Sequence, residues 1–183
     1  NTPPLMHFEY HDLGYTQTDI LIPGWSTCPQ LLMPLSHQAN RLLCYDPDPD
    51  QFVTGLDDYL SDLPTCSYRI ISFSLGCFLA CDVAHLSKFH IQKFSFYSAR
   101  PAYHAREIST VKKELLDDPL TFLRQFLYQD CTNSQNPLLD TYIHDHDRYK
   151  LLSGLAFLSV GRLTPDRIHV LHDRVTFYHG KRD

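Results

Sequence analysis

Strand-like apolar runs alternate with helix-compatible segments through the first half of the chain, and this alternation limits the folds available to it. The four runs, each ending in Pro, Gly or Ser, are residues 18–24, 41–49, 67–74 and 93–101. The helix-compatible segments between them are residues 31–39, 50–63 and 75–86. Strands that alternate with helices form a parallel sheet with helices on both faces, connected by right-handed crossovers. The sequence therefore predicts an α/β fold.

Residues 101–165 break this alternation. Apolar residues recur there at helical spacing, with no strand-like run between them, in segments 108–118, 119–129 and 147–160. A fifth strand-like run, residues 174–180, follows this block. We therefore expect a mostly parallel sheet with a helical cap inserted between two late strands. The expected organisation is a core over 1–100, a cap over 101–165 and a return to the core over 166–183.

The stretch Ser72-Phe73-Ser74-Leu75-Gly76 falls where the third run gives way to a helix-compatible segment. A nucleophile elbow needs small residues at both ends, because its sharp turn brings the helix start close to the strand. The helix N-terminus also places backbone N–H groups and positive dipole near the serine oxygen. Ser74 is therefore a candidate nucleophile. The alternative is a structural hydroxyl at the end of a buried strand.

Two further segments fit an acyl-transfer site. The run 21–27 ends a strand with Pro-Gly and places Trp25 in the following loop. Backbone N–H groups of Trp25 and Leu75 could together hold an oxyanion, although a plain turn with a core tryptophan explains the same residues. The chain ends in Asp183, and an acid after a late strand would orient a catalytic imidazole.

These motifs, in the order PGW, SFSLG, helical insert and FYHGKRD, resemble the α/β-hydrolase family over nearly the whole chain. Within that family they are most similar to the pimeloyl-acyl-carrier-protein methyl ester esterases of biotin synthesis. The resemblance implies Ser74 as nucleophile, Asp183 as acid, and Trp25 and Leu75 as oxyanion donors. Segments 121–129 and 153–164 are also similar to cap segments of those esterases. By the same resemblance, the substrate-binding residues are Trp25, Phe122, Leu123, Arg124, Gln125 and Phe126.

The resemblance further implies a serine carboxylesterase whose ester substrate is carried on acyl carrier protein, an acidic partner. Aromatic and aliphatic cap residues would then form an apolar channel for a medium acyl chain. Basic cap residues that could dock the carrier are Arg106, Lys112, Lys113, Arg124 and Arg148. Ordinary solvated charges explain the same residues. A thioesterase or a short- or medium-chain carboxylesterase is an alternative on this fold.

The sequence departs from the family pattern at two places. Ser72 stands where the elbow usually has Gly. The family's catalytic histidine follows the acid after one more strand, whereas this chain ends at Asp183. We expect a C-terminal strand and helix, absent from this chain, to supply that histidine. His104 is the alternative base, since it would emerge on the same sheet edge as Ser74, and a binding module that lacks the base is the third possibility.

Composition argues against several partners and cofactors. The formal net charge is −5, which gives no attraction to nucleic acid or an anionic membrane. No uncharged apolar run approaches the roughly 20 residues that span a bilayer, and no secretory signal is visible. The six cysteines include no CxxC pair, which favours buried thiols in a reducing, cytoplasmic compartment. We expect no cofactor.

The stretch IHDHD (143–147) alternates histidine and aspartate, a composition that can suggest a metal site. On a helix, neighbouring residues point about 100° apart, so His144 and His146 would diverge. We interpret the stretch as a solvated polar segment of the cap and expect no metal.

Overall fold

A mostly parallel sheet of six strands runs through the part of the chain that the computed structural model describes, which is residues 6–64, 67–86, 88–131, 137–144 and 146–180. The strands are His7–His11 (β1), Gln17–Ile22 (β2), Asn40–Tyr45 (β3), Ser67–Phe73 (β4), Ile91–Tyr97 (β5) and Val175–Tyr178 (β6). Their spatial order is β1-β3-β2-β4-β5-β6. The β1 strand pairs antiparallel with β3, and the other neighbours are parallel. The predicted α/β sheet is therefore confirmed.

Helices connect the strands and fill the long segment between β5 and β6. They are Phe52–Ser61 (α1), Leu75–Val83 (α2), Ala105–Asp117 (α3), Pro119–Gln125 (α4), Pro137–His144 (α5), Arg148–Val160 (α6) and Pro165–Val170 (α7). A π-helical turn, Phe126–Cys131, continues α4, and 3-10 turns form at Pro29–Leu35 and His172–Arg174. Among the described helices, none is long and apolar enough to cross a bilayer.

Several elements differ from the sequence predictions. Segment 31–39 is not an α-helix, because its helical part is the 3-10 turn Pro29–Leu35, which contains Pro34 and so lacks one N–H donor. The β3 strand ends at Tyr45, before the Asp-Pro-Asp-Pro turn, and β5 ends at Tyr97. The β1 strand was not predicted. It carries only two large apolar side chains among charged and histidine residues.

The apolar core lies on both faces of the sheet. Residues 18–22 of β2 are fully buried, so this central strand is covered on each side. On one face Ile20 and Ile22 join the main cluster, while Leu21 faces a smaller cluster with Leu43 and Ile71. A strand buried on both faces reads as a continuous apolar run, which is why β2 was recognisable.

The helices between β5 and β6 share the main core with the sheet. Their buried side chains are Leu115, Leu123, Leu127, Leu139, Ile143, Leu151, Leu155 and Leu158. These leucines recur at helical spacing, which is the pattern that predicted helices there. The segment after β5 is thus packed against the sheet's own core residues.

Four cysteines are buried free thiols: Cys28, Cys44, Cys77 and Cys81. Burial raises the pKa of the Cys77 thiol to about 12 and that of Cys81 to about 11. These thiols therefore stay protonated at neutral pH and pack as small apolar groups. Cys66 and the Cys131 side chain lie outside the described part of the chain.

A buried ion pair joins the two central strands on the face of the smaller cluster. Asp19 in β2 is fully buried, and Arg69 in β4 donates to its carboxylate from Nε at 2.7 Å and Nη2 at 3.0 Å. Ser36 Oγ donates to the same carboxylate at 2.7 Å, and Arg69 also donates to the His37 carbonyl at 3.0 Å. The pair ties β2 and β4 to the loop that follows the 3-10 turn.

We expect the two halves of this pair to differ in their contribution to stability. Arg69→Met leaves a buried carboxylate without its cation and should lower the free energy of unfolding by about 3–5 kcal/mol. Asp19→Asn should cost less, because the Arg69 side chain is 34% exposed and can turn to water. Urea denaturation measures both. Lys88→Ala, which removes an exposed partner of Asp57, is the control and should cost at most about 1 kcal/mol. Equal losses for all three variants would contradict this account.

Candidate active site

Strained backbone gathers where the parallel strands end. Asp46 follows β3, Ser74 follows β4 and Ser98 follows β5, and their φ angles are 48°, 51° and 50°. Ser26, in the loop after β2, has φ 56°. Left-handed backbone at non-glycine residues is costly and clusters at functional sites. This edge is also where open α/β sheets bind ligands.

Ser74 occupies the sharp turn between β4 and α2. Its backbone has φ 51° and ψ −114°, and its N–H donates to the Tyr97 carbonyl at 2.9 Å. Gly76, the second residue of α2, lies against the end of β2. A Cβ there would lie 2.8 Å from the Pro23 carbonyl oxygen and closer still to that of Ile22. Only glycine fits, so the small residue predicted at this position has a steric cause.

The other small positions of the turn are also explained by packing. A Cβ on Gly24 would lie 2.6 Å from the Phe73 ring, so the loop after β2 also approaches β4 closely. Ser72, which stands in place of the usual glycine, is fully buried, and its hydroxyl donates to Cys77 Sγ at 3.4 Å. The turn thus accommodates a serine at that position.

The two residues predicted to donate to an oxyanion lie beside one cavity. Trp25 and Leu75 are both buried and both line a cavity of about 220 Å³. Among the backbone hydrogen bonds of the described loops and helix caps, none has the N–H of Trp25 or Leu75 as its donor. The Trp25 indole Nε1 donates to the Leu151 carbonyl at 2.8 Å and so fixes the loop to α6. Both donors remain predictions.

The same cavity has a polar wall that sequence reasoning missed. Ser26 is 4% exposed, lines the cavity, and has no hydrogen-bond partner for its hydroxyl in the described structure. Lys150 Nζ on α6 lies 3.0 Å from the Asp46 carboxylate, and both residues line the cavity. The positive φ at Ser26 and Asp46 was not visible in the sequence, because neither residue is a glycine.

The predicted substrate-binding segment 122–126 presents two faces. Phe122 and Phe126 pack on the Trp25 ring, with centroids 6.3 and 5.4 Å apart. Leu123 is fully buried, whereas Arg124 and Gln125 are exposed. None of these five residues lines the cavity beside Leu75. Their contact with substrate stays a prediction.

The side-chain oxygen of Ser74 meets a tyrosine. Ser74 Oγ lies 3.0 Å from Tyr103 OH, and no histidine in the described structure, which includes all 11 of them, is hydrogen-bonded to it. His104, the alternative base, lies at the start of α3 with an exposed side chain. Burial raises the pKa of the Tyr103 phenol, although the hydrogen bond with Ser74 and the charge of Arg100 act against this. β5 ends at Tyr97, so Tyr103 lies in the loop that follows it, and no motif in the sequence marks this tyrosine.

Two other predictions concern residues away from this contact. Asp183, the predicted acid, lies outside the described residues. In the IHDHD stretch, the His146 ring is hydrogen-bonded to the Ile143 carbonyl at 2.7 Å. Asp147 caps α6 by accepting from the N–H groups of Tyr149 and Lys150. Local structure therefore accounts for these two side chains.

Comparison with known proteins defines the fold. No family model matches the chain, and no curated protein matches it in sequence. Solved structures match it over almost its full length, and they show that the chain has the α/β-hydrolase fold.

Three of these solved structures serve as examples. MGS-M2, an α/β-hydrolase from a Medee basin deep-sea metagenome library, has a TM-score of 0.63 at 10% identity and covers 96% of this chain and 85% of its own. Bromoperoxidase from Bacillus anthracis has a TM-score of 0.69 at 15% identity, with 96% and 76% covered. BioG from Haemophilus influenzae has a TM-score of 0.54 at 15% identity, with 95% and 91% covered. At these identities the likeness concerns the fold and does not select a reaction.

We expect Gly76→Ala to displace the turn that carries Ser74. The added methyl group meets backbone carbonyls of β2, which cannot move aside, so the variant should lose about 1–3 kcal/mol of unfolding free energy. Gly55→Ala in α1 is the matched control, because its Cβ would crowd only the flexible end of the Met6 side chain and would meet the Phe8 ring at ordinary contact distance. Since alanine is the better helix former by about 1 kcal/mol, that variant should be neutral or stabilised. Thermal or urea unfolding checks both, and similar losses would contradict the steric argument.

Proposed function

We propose that the protein is a serine carboxylesterase with Ser74 as its nucleophile. The observation that carries the proposal is the turn at Ser74, whose positive φ lifts the serine off the carboxyl end of β4 at the start of α2. A serine in this position lies beside a helix N-terminus. The positive end of the helix dipole favours negative charge on the serine oxygen and on the substrate oxyanion. The tight packing at Gly76 holds this arrangement against the loop that carries Trp25.

The reaction would follow acyl transfer through a covalent intermediate. Ser74 Oγ attacks the ester carbonyl while a general base takes its proton and returns it to the leaving alcohol. The N–H groups of Trp25 and Leu75 would hold the oxyanion, and water would then hydrolyse the acyl-enzyme. Asp183 is the predicted orienting acid of that base.

For the substrate, we propose the methyl ester of a pimeloyl group carried on acyl carrier protein, as in biotin synthesis. The sequence resemblance supports this choice, and the cavity beside Trp25 and Leu75 offers space for part of an acyl chain. The unpaired Ser26 hydroxyl in its wall could pair with a polar group of the substrate. The five basic residues proposed for carrier docking are all exposed: Arg106, Lys112, Lys113, Arg124 and Arg148.

The nucleophile is tested by intact-mass spectrometry after reaction with a fluorophosphonate, which labels activated serines. We expect one adduct, lost in Ser74→Ala together with esterase activity, which should fall by about 10³-fold or more. Ser72→Ala, which changes the other serine of the motif, should keep the adduct. An adduct that persists in Ser74→Ala would refute the assignment.

Carrier docking is tested by replacing Arg124 and Arg148 with alanine. Each exposed charge contributes about 0.2–1 kcal/mol, so the double variant should raise KM for the carrier-bound ester roughly 2- to 30-fold. KM for the free methyl ester should not change. Lys93→Ala, an exposed charge on β5, is the control. Equal changes on both substrates would contradict docking.

A non-catalytic binding module is the second candidate, and one observation favours it. The hydroxyl of Ser74 is paired with Tyr103, and no histidine in the described structure takes that place. Such a module would bind acyl esters without being labelled by the fluorophosphonate. The mass spectrum therefore separates the two candidates.

A further inference from the structure

The phenol hydroxyl of Tyr103 lies beside Ser74 Oγ, an atom that takes part in both steps of the proposed reaction. Ser74 Oγ, 3.0 Å from this hydroxyl, is the nucleophile in acylation and the leaving group in deacylation. We propose that Tyr103 is a catalytic residue that donates a hydrogen bond to Ser74 Oγ and assists its departure when the acyl-enzyme is hydrolysed. The inference rests on the proposed function, which by itself gives Tyr103 no role.

The tyrosine is held in place by its neighbours. The Arg100 guanidinium lies over the Tyr103 ring, 4.3 Å from its centroid, and the Phe78 ring lies 6.4 Å away on α2. Arg100 in turn donates to both oxygens of Glu107, at 2.6 and 2.9 Å. A bidentate pair fixes the guanidinium plane, and a cation over an aromatic face is attractive. The phenol is therefore preorganised beside Ser74.

A protonated phenol at this position can donate a hydrogen bond to Ser74 Oγ in both steps of the reaction. The partly buried Tyr103 phenol keeps its proton at neutral pH, because burial raises its pKa. In acylation the Ser74 proton passes to the general base, the bond from Oγ to the acyl carbon forms, and the alcohol leaves with that proton. In deacylation water attacks, the base takes a water proton, and the same bond breaks with its electron pair returning to Oγ. The base then protonates Oγ, and Tyr103 keeps its own proton throughout.

A donor to Oγ has unequal effects on the rates of the two steps. It stabilises the negative charge that builds on Oγ as this oxygen leaves, so deacylation gains from it. It also draws electron density from Oγ before attack, so acylation gains little. Loss of the phenol hydroxyl should therefore slow deacylation more than acylation.

Tyr103→Phe tests this with p-nitrophenyl acetate in stopped flow. We expect kcat to fall about 10- to 100-fold, the range for one hydrogen bond to a charged group. The value of kcat/KM should change by less than about threefold, so KM falls with kcat and an acyl-enzyme burst grows. Tyr59→Phe in α1, where the ring packs on Phe8, should match the wild type. Equal losses in kcat and kcat/KM, or no loss in either, would overturn the proposal.

The contact itself is tested without turnover. In protein labelled with 3-fluorotyrosine, the ¹⁹F resonance missing from folded Tyr103→Phe belongs to Tyr103. That resonance should shift in Ser74→Ala and stay in place in Ser72→Ala. An unshifted resonance in Ser74→Ala would overturn the proposal while leaving the esterase function untouched. A wild type that shows neither a fluorophosphonate adduct nor a burst would instead refute the proposed function, and this inference with it.

Discussion

The close approach of α2 to the end of β2 is the constraint on which the rest of the proposed site depends. At Gly76 the helix start lies against the backbone carbonyls of Ile22 and Pro23, with no room for a side chain between them. Backbone carbonyls of a buried central strand cannot repack as side chains do. Ser74 and the loop from Gly24 to Trp25 are therefore fixed relative to each other. A site that stabilises developing charge needs this kind of fixed geometry, because its donors must be in place before the reaction.

Much of the fold could be predicted from the sequence, because its central strands are buried on both faces. The β2 and β4 strands carry short apolar runs rich in isoleucine, and the leucines of the cap helices recur at helical spacing. The β1 strand was missed because it forms an antiparallel edge and carries only Phe8 and Tyr10 as large apolar residues. The 31–39 segment is compatible with an α-helix in sequence, but its helical part is a 3-10 turn. Pro34 within this segment and Pro29 just before it are the local features that favour a short turn instead.

Some residues of the candidate site follow from the local sequence, and others depend on tertiary contacts. The turn at Ser74 could be predicted, because small residues must flank a sharp strand-to-helix junction wherever it occurs. Tyr103 could not be singled out among 11 tyrosines, since its contact with Ser74 depends on how β4 and β5 align. The residues of segment 122–126, whose contact with substrate stays a prediction, differ in their surroundings because they share one helix. A helix points Phe122 and Phe126 to one side and Arg124 and Gln125 to another, so its residues have different surroundings.

The single tryptophan of the chain stands where the core meets the cap. Trp25 donates its indole N–H to the Leu151 carbonyl of α6 and packs edge-on against Phe126. Trp25 is 7% exposed, so the tryptophan fluorescence of the chain comes from one largely buried position. Lifting α6 would break the indole hydrogen bond and admit water, which shifts indole emission to longer wavelength. The emission wavelength of this tryptophan therefore reports whether α6 is packed on the loop after β2.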